Sequence, residues 1–331
     1  MPPSRPYLVL LSAAVAAAAA AAAAAAFLLY RRQRRAAPFP SSPSSAPLIL
    51  LVDNGSIQAA SFASLANLAH RVSLRAHLLV TPASARFADR ATPPGATVST
   101  ALAHHLALPT SPTRLLILPA FFGPSDALQH FLPGLLAPLA ASHPWLAVAT
   151  ARPMVDPADP GDTRIARALL RHALAAAGGL PPAPAAPALV LCDHGSPLPQ
   201  VGAVRAHVAA QLAALLPAGA FRAFSPASME RRAGAAYDYN DPLLEVLLAA
   251  PPFDEGHVVV ALLFLSPGKH AGPGGDLAGI AEAAEAAAAA RGRALRVTFA
   301  PLLAGCEEVV EVLRDRLAGE LGARGWGACA E

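Results

Sequence analysis

From residue 47 onward the chain alternates short apolar runs with longer alanine- and leucine-rich stretches, and the runs come in matching pairs. "LILLVDNGS" (48–56) is answered by "ALVLCDHGS" (188–196), "VTPAS" (80–84) by "FSPAS" (224–228), and "LLILPAFFGPSD" (115–126) by "VVALLFLSPGK" (259–269). "VATARPMVD" near residue 150 is answered by "VTFAPLLAG" near residue 300. Four matches in one order at a nearly constant offset indicate an internal duplication. In the second copy the runs are separated by helical stretches at 198–216, 242–248, 276–290 and 306–317. Short apolar runs alternating with helices predict right-handed βαβ crossovers and a parallel sheet buried on both faces. The expected architecture is therefore α/β, with two tandem parallel-sheet halves at 47–180 and 187–325. In such sheets ligands bind at the carboxyl ends of the strands. Asp-His-Gly-Ser, Ser-Pro-Ala-Ser-Met-Glu and Ser-Pro-Gly-Lys-His all fall at those ends.

Comparing the copies separates scaffold from chemistry. Gly55 and Gly195, Ser84 and Ser228, and Pro124 and Pro267 persist in both. Asn54 stands where the second copy has His194, Arg86 where it has Glu230, and Ala127 where it has His270. One half thus keeps two imidazoles and a carboxylate, and the other keeps the fold alone. A nitrogen and oxygen donor set of this kind suits Fe²⁺, Co²⁺, Ni²⁺ or Zn²⁺ better than Mg²⁺. Lys269, beside His270, is the sole lysine of the chain.

The N-terminus is a different kind of segment. Residues 7–30 carry no charge and include an alanine run, and as a helix they would span roughly 36 Å, enough for a bilayer. "RRQRR" (31–35) follows directly, favouring a transmembrane anchor over 1–36 that leaves the body on the cytosolic or stromal side. A cleaved targeting peptide is the competing reading, and a chloroplast location is the expectation in either case. Residues 37–46 read as a linker. The four arginines of that cluster exceed the whole formal charge of +3, so the body is close to neutral. With no basic stripe interleaved with aromatics, nucleic acid is not an expected partner. Cys192, Cys306 and Cys329 form no CxxC pair, which argues against a disulfide framework or a thiolate metal site.

"DHGSP", "ASMERRAGAAYDYNDPLLEVL" and "LFLSPGKHAGPGGDL" resemble the sirohydrochlorin chelatases, the class II cobalto- and ferrochelatase type, in the long two-repeat form of photosynthetic organisms. The resemblance is strong over 188–320, weaker but continuous over 47–178, and does not reach the N-terminal segment. It implies two α/β halves facing across a cleft, and ATP-independent insertion of Fe²⁺, or alternatively Co²⁺, into an acidic reduced tetrapyrrole for sirohaem or cobalamin. No cofactor is implied beyond the metal that is itself a substrate. Residue by residue, it implies His194 and His270 as metal-binding and catalytic groups and Glu230 as a catalytic acid or base. Lys269, Arg231, Arg232 and Ser196 are the expected substrate contacts. The chain departs from the family pattern in having Lys269 where arginine is expected, which keeps the charge but loses a bidentate fork.

Imidazole suits metallation because, when neutral, it is both a ligand and a base near neutral pH. A non-catalytic tetrapyrrole or metal carrier would use the same residues without turnover. "GPGGD" (272–276) could instead cradle a phosphate, although it lacks the Walker and GxGxxG registers. Tyr237, Tyr239 and Asn240 read as packing residues, with Asn240 or Asp241 as a helix N-cap before Pro242. His104, His105, His130, His143 and His172 read as surface or loop residues.

Overall fold

The computed structural model describes residues 46–108, 112–179, 186–272 and 274–327. The expected anchor at 1–36 and nearly all of the linker lie outside these residues. Among the described residues no helix is long and apolar enough to cross a membrane.

In the first half, strands β1 (Leu48–Asp53), β2 (Val80–Ser84), β3 (Arg114–Pro119) and β4 (Ala147–Thr150) alternate with helices α1 (Ala59–Ala76), α2 (Val98–Leu106), α3 (Leu132–Ser142) and α4 (Arg164–Ala176). The second half repeats the order. Its strands are β5 (Ala188–Asp193), β6 (Ala223–Ser228), β7 (Gly256–Leu262) and β8 (Leu295–Phe299), and its helices are α5 (Pro199–Leu215), α6 (Leu244–Leu247), α7 (Asp276–Ala290) and α8 (Glu307–Arg324). The two sheets are parallel and share one topology, β2-β1-β3-β4 and β6-β5-β7-β8. The chain leaves β1 toward one edge and returns on the other side as β3, and the same reversal separates β5 from β7. This makes the β5–β7 boundary a topological switch point, where the loops diverge and leave a crevice.

The period-2 alternation of each strand explains the layering. Leu48, Leu50 and Val52 face an outer core with α2 and α3, while Ile49 and Leu51 face inward. Ala188, Val190 and Cys192 face a second outer core with α6 and α7, while Leu189 and Leu191 face inward. The two inner faces share a single core filled by α1, α4, α5 and α8. The last helix of each half crosses to the other: α4 packs on α5 and β7, and α8 packs on α1 and β3. Ion pairs follow the exchange, with Arg71 to Glu307 at 2.8 Å and Arg171 to Glu308 at 2.7 Å. Buried Arg316 on α8 donates to the carbonyls of Pro153 and Met154 in the first half, both at 3.0 Å.

Local expectations around Pro242 change. The 242–248 stretch is helical for one turn only, because Pro242 and the 3₁₀ segment Ala235–Asn240 hold the preceding chain. The residue before that turn is Leu243, so neither Asn240 nor Asp241 is an N-cap. His172 lies on α4, unburied, with Nδ1 bonded to the Pro301 carbonyl at 2.9 Å and Nε2 to Cys306 Sγ at 3.4 Å.

Candidate metal centre

His194 follows the last residue of β5, and His270 lies in the loop after β7, so the two imidazoles leave neighbouring strands at the switch point. Their ring centroids are 4.4 Å apart with a 50° tilt. The Phe264 ring meets His194 edge-on at 6.4 Å. Glu230, two residues beyond β6, brings Oε1 to 3.3 Å from His194 Nε2. Gly195 makes this approach feasible. At φ +84 it turns the β5 loop against the β6 loop, and a Cβ there would overlap the Glu230 backbone carbonyl.

His270 has an orienting partner that the sequence did not single out. Asp276, the first residue of α7 and the last of "GPGGD", accepts from His270 Nδ1 at 2.7 Å. That fixes the tautomer with the Nε2 lone pair free for a ligand. The His270 hydrogen bond holds the Asp276 carboxyl below its usual range, and Lys269 Nζ at 3.7 Å adds to this. The motif that resembles a phosphate cradle therefore serves to present a carboxylate to an imidazole. For His194, burial holds the pKa below the ordinary histidine value and the neighbouring His270 lowers it further, against the pull of Glu230 and Asp193. Its ring is thus biased toward the neutral, ligating form near neutral pH.

Beneath this pair lies a buried polar cluster. Asp193 Oδ1 accepts from Ser228 Oγ at 2.6 Å and from the Gly195 amide at 3.2 Å, with Arg205 at 3.6 Å. Arg205, 5% exposed, also donates to Ser228 Oγ, to the Asn240 carbonyl at 2.8 Å and to the Tyr239 carbonyl at 2.7 Å. Burial pushes the Asp193 carboxyl up and Arg205 opposes it. Asn240 clamps Ser196 from both sides, Oδ1 accepting its amide at 2.9 Å and Nδ2 donating to its carbonyl at 3.0 Å. The Ser196 hydroxyl itself accepts the Leu198 amide, so it serves the turn into α5. Arg231 is held by Asp238 at 2.8 Å and Asp241 at 2.9 Å. Arg232 is exposed, with its guanidinium 6.0 Å from the Tyr237 ring, and Lys269 is 74% exposed.

The matching positions of the first half have been rewired. Arg86, in the place of Glu230, pairs with Asp126 at 3.0 Å, which also meets His130 at 3.2 Å. Leu65 occupies the position of Arg205. Among the described residues Asp53 therefore lacks the counterpart of Arg205, and its Oδ1 is buried without a hydrogen-bond partner of good geometry. Burial pushes this carboxyl up to about 6, and the neighbouring Ser84 hydroxyl only partly offsets the effect. A raised folded pKa favours the protonated native state, so this contribution is fully present below about pH 4 and lost as pH climbs through about 6. A shift of about two units corresponds to about 3 kcal/mol. Asp53→Asn is expected to remove that slope. Urea unfolding at pH 4 and pH 7.5 should show the variant gaining about 2 to 3 kcal/mol on the wild type at the higher pH. Parallel pH curves would contradict the assignment.

Between the halves lies an open cavity of about 510 Å³, within the usual range for small-molecule sites. Phe264, Lys269 and His270 line one wall, and Asn54, Ile57 and Phe87 line the other. Among the described residues no three donors converge into a preassembled metal cage. The arrangement offers two close imidazoles, one oriented by a carboxylate and lining the cleft, the other behind it beside a second carboxylate.

No family model and no curated protein matches the sequence. Solved structures do match. The chain is similar to SirB from Bacillus subtilis with Fe3+, at 14% identity and TM-score 0.60, covering 86% of this chain and all of that one. It is likewise similar to the sirohydrochlorin chelatase SirB from Bacillus subtilis subspecies spizizenii in complex with cobalt, at 15% identity and TM-score 0.58, with the same coverage. At these identities the likeness shows the fold: two parallel-sheet halves arranged as in the sirohydrochlorin chelatases.

Proposed function

We propose that the chain is a sirohydrochlorin-type chelatase, which inserts Fe²⁺, or alternatively Co²⁺, into an acidic reduced tetrapyrrole without ATP. The observation that carries this reading is the His194–His270 pair, 4.4 Å between centroids, of which His270 lines the interhalf cleft. Two metal–nitrogen bonds of about 2.1 Å each are compatible with that separation. A site of two imidazoles with weak carboxylate support holds a divalent ion loosely, as suits an ion that must leave again. The fold shared with SirB structures that hold iron or cobalt supports the same reading.

The proton balance also fits. Metallation adds two positive charges to the macrocycle and releases two pyrrole N–H protons. As the ion transfers, the imidazole lone pairs of His194 and His270 are freed, and Glu230 stands beside His194 as a further acceptor. The site can therefore exchange a metal dication for two protons without a net change of charge. Lys269 and Arg232 are the exposed cations suited to the substrate's carboxylates, whereas Arg231 already has two aspartates.

The deciding experiment is anaerobic incubation of the full chain with sirohydrochlorin and each metal, followed by absorption. A rate above the metal-only control is expected with Fe²⁺ or Co²⁺. A tight complex whose spectrum never shifts to the metallated form would support a carrier instead. Asp276→Asn, which weakens the hydrogen bond orienting His270, is expected to lower metal affinity or turnover 10- to 100-fold. Cobalt titration of the variant in the absence of tetrapyrrole checks this, and an unchanged affinity together with unchanged turnover would exclude the orienting role.

A further inference from the structure

The first half lacks the ligand residues, yet two features of it point into the cleft. Phe87 has φ 68 and ψ −23, one of two non-glycine residues at positive φ among those described. For a bulky aromatic this is an outlier costing about 1–3 kcal/mol, of the kind that clusters at ligand sites. The surrounding backbone enforces it: the Ala88 amide donates to the Arg86 carbonyl at 2.9 Å and the Arg90 amide to the Phe87 carbonyl at 2.9 Å. A turn alone would be better served by glycine or asparagine. The result is a phenyl ring that is 38% exposed and lines the cavity. Ile57, 63% exposed, lines the same wall. Of the large apolar side chains exposed among the described residues, only these two border the cleft. The Arg90 guanidinium lies 5.7 Å from the Phe87 ring centroid.

We propose that Phe87 and Ile57 form a platform for one face of the tetrapyrrole, with Arg90 meeting a carboxylate at its edge, so that the half without ligands holds the macrocycle opposite the wall that carries His270. This rests on the chelatase reading. A reduced tetrapyrrole is broad, with apolar faces and an acidic rim, which matches an apolar wall flanked by a cation. Covering Phe87 and Ile57 removes apolar surface from water, and a ring face against Phe87 gains the further attraction of stacked π systems. The opposite wall supplies Phe264 and Lys269, so both faces and both edges of a bound ring find a counterpart.

The test uses the full chain and a metal-free octacarboxylate porphyrin followed by fluorescence quenching, with Co²⁺ binding measured separately in the absence of porphyrin. Phe87→Asn keeps a residue that tolerates the left-handed backbone and removes the ring. It is expected to weaken porphyrin binding about tenfold while Co²⁺ affinity stays within twofold. Ile57→Ser should weaken it about threefold, and Phe87→Tyr should bind as the wild type does. A wild type that binds and metallates, with Phe87→Asn binding porphyrin equally well, overturns the platform and leaves the chelatase reading intact. Parallel loss of porphyrin and Co²⁺ binding in Phe87→Asn also overturns it, by showing a general structural role. A wild type that binds no tetrapyrrole and metallates none overturns both.

Discussion

Replacing His194 by alanine is expected to lower metallation by about 10³-fold, while porphyrin binding changes by no more than a few-fold. The imidazole is asked for two things at once, a lone pair for the incoming metal and a base for a departing pyrrole proton, and proton transfer alone is typically worth 10²- to 10⁴-fold. Glu230 at 3.3 Å offers a carboxylate oxygen, and His270 has one free nitrogen, Nε2, because its Nδ1 is committed to Asp276, so neither replaces the second imidazole of the pair. The control is Asn54→Ala, the matched position of the first half, which should leave turnover within about twofold. Steady-state rates for the two variants decide the matter, and equal losses would mean that the two halves contribute equivalently.

The second large effect is on stability. Arg205→Ala is expected to cost about 3–5 kcal/mol, because it leaves the buried Asp193 charge without its cation. It also strips hydrogen bonds from Ser228 and from the carbonyls of Tyr239 and Asn240. The loss should be pH-dependent in a defined direction. Without Arg205, the already raised Asp193 pKa rises further, so the variant should be least impaired in acid and most impaired above neutrality. Urea midpoints measured at pH 5 and pH 8 test this, and a penalty that is constant with pH would implicate packing instead. Arg205→Leu copies the solution adopted at Leu65. Asp53 survives there without a counterpart of Arg205, so Arg205→Leu should fall between the wild type and Arg205→Ala.

Much of the fold was legible because the duplication is written in the strands. The four apolar runs of each half mark strands, and the helical stretches between them mark the crossovers that make the sheets parallel. The juxtaposition of His194 and His270 followed from two strand ends sharing a switch point. What escaped notice was second-layer chemistry. Arg205 is one arginine in an alanine-rich helix, and its hydrogen-bond partners are 23 to 36 residues away in sequence. Only the substitution of Leu65 at the matched position hints that it faces inward. Asp276 was hidden by a glycine-rich context that suggested anion binding, although the carboxylate it carries argued for the opposite charge preference. Asn240 looked like a helix start because it precedes a proline, and instead its amide completes the backbone hydrogen bonding of Ser196. Phe87 gave no pattern signal, since a positive φ at an aromatic residue cannot be read from periodicity.

The exchange of α4 and α8 between the halves bears on what the duplication permits. A redundant copy that has lost its chemistry can ordinarily be trimmed away without harm to the other. Here the second sheet takes part of its inner cover from α4, and the first takes its own from α8. Excising either copy would expose the apolar face of the survivor and strand one helix without a sheet. The interlock thus retains the silent copy even where its donor residues are gone, and those donor positions are free to change so long as it is preserved. The departure of Asn54, Arg86 and Ala127 from the donor set, above an intact inner core, is the pattern such freedom produces.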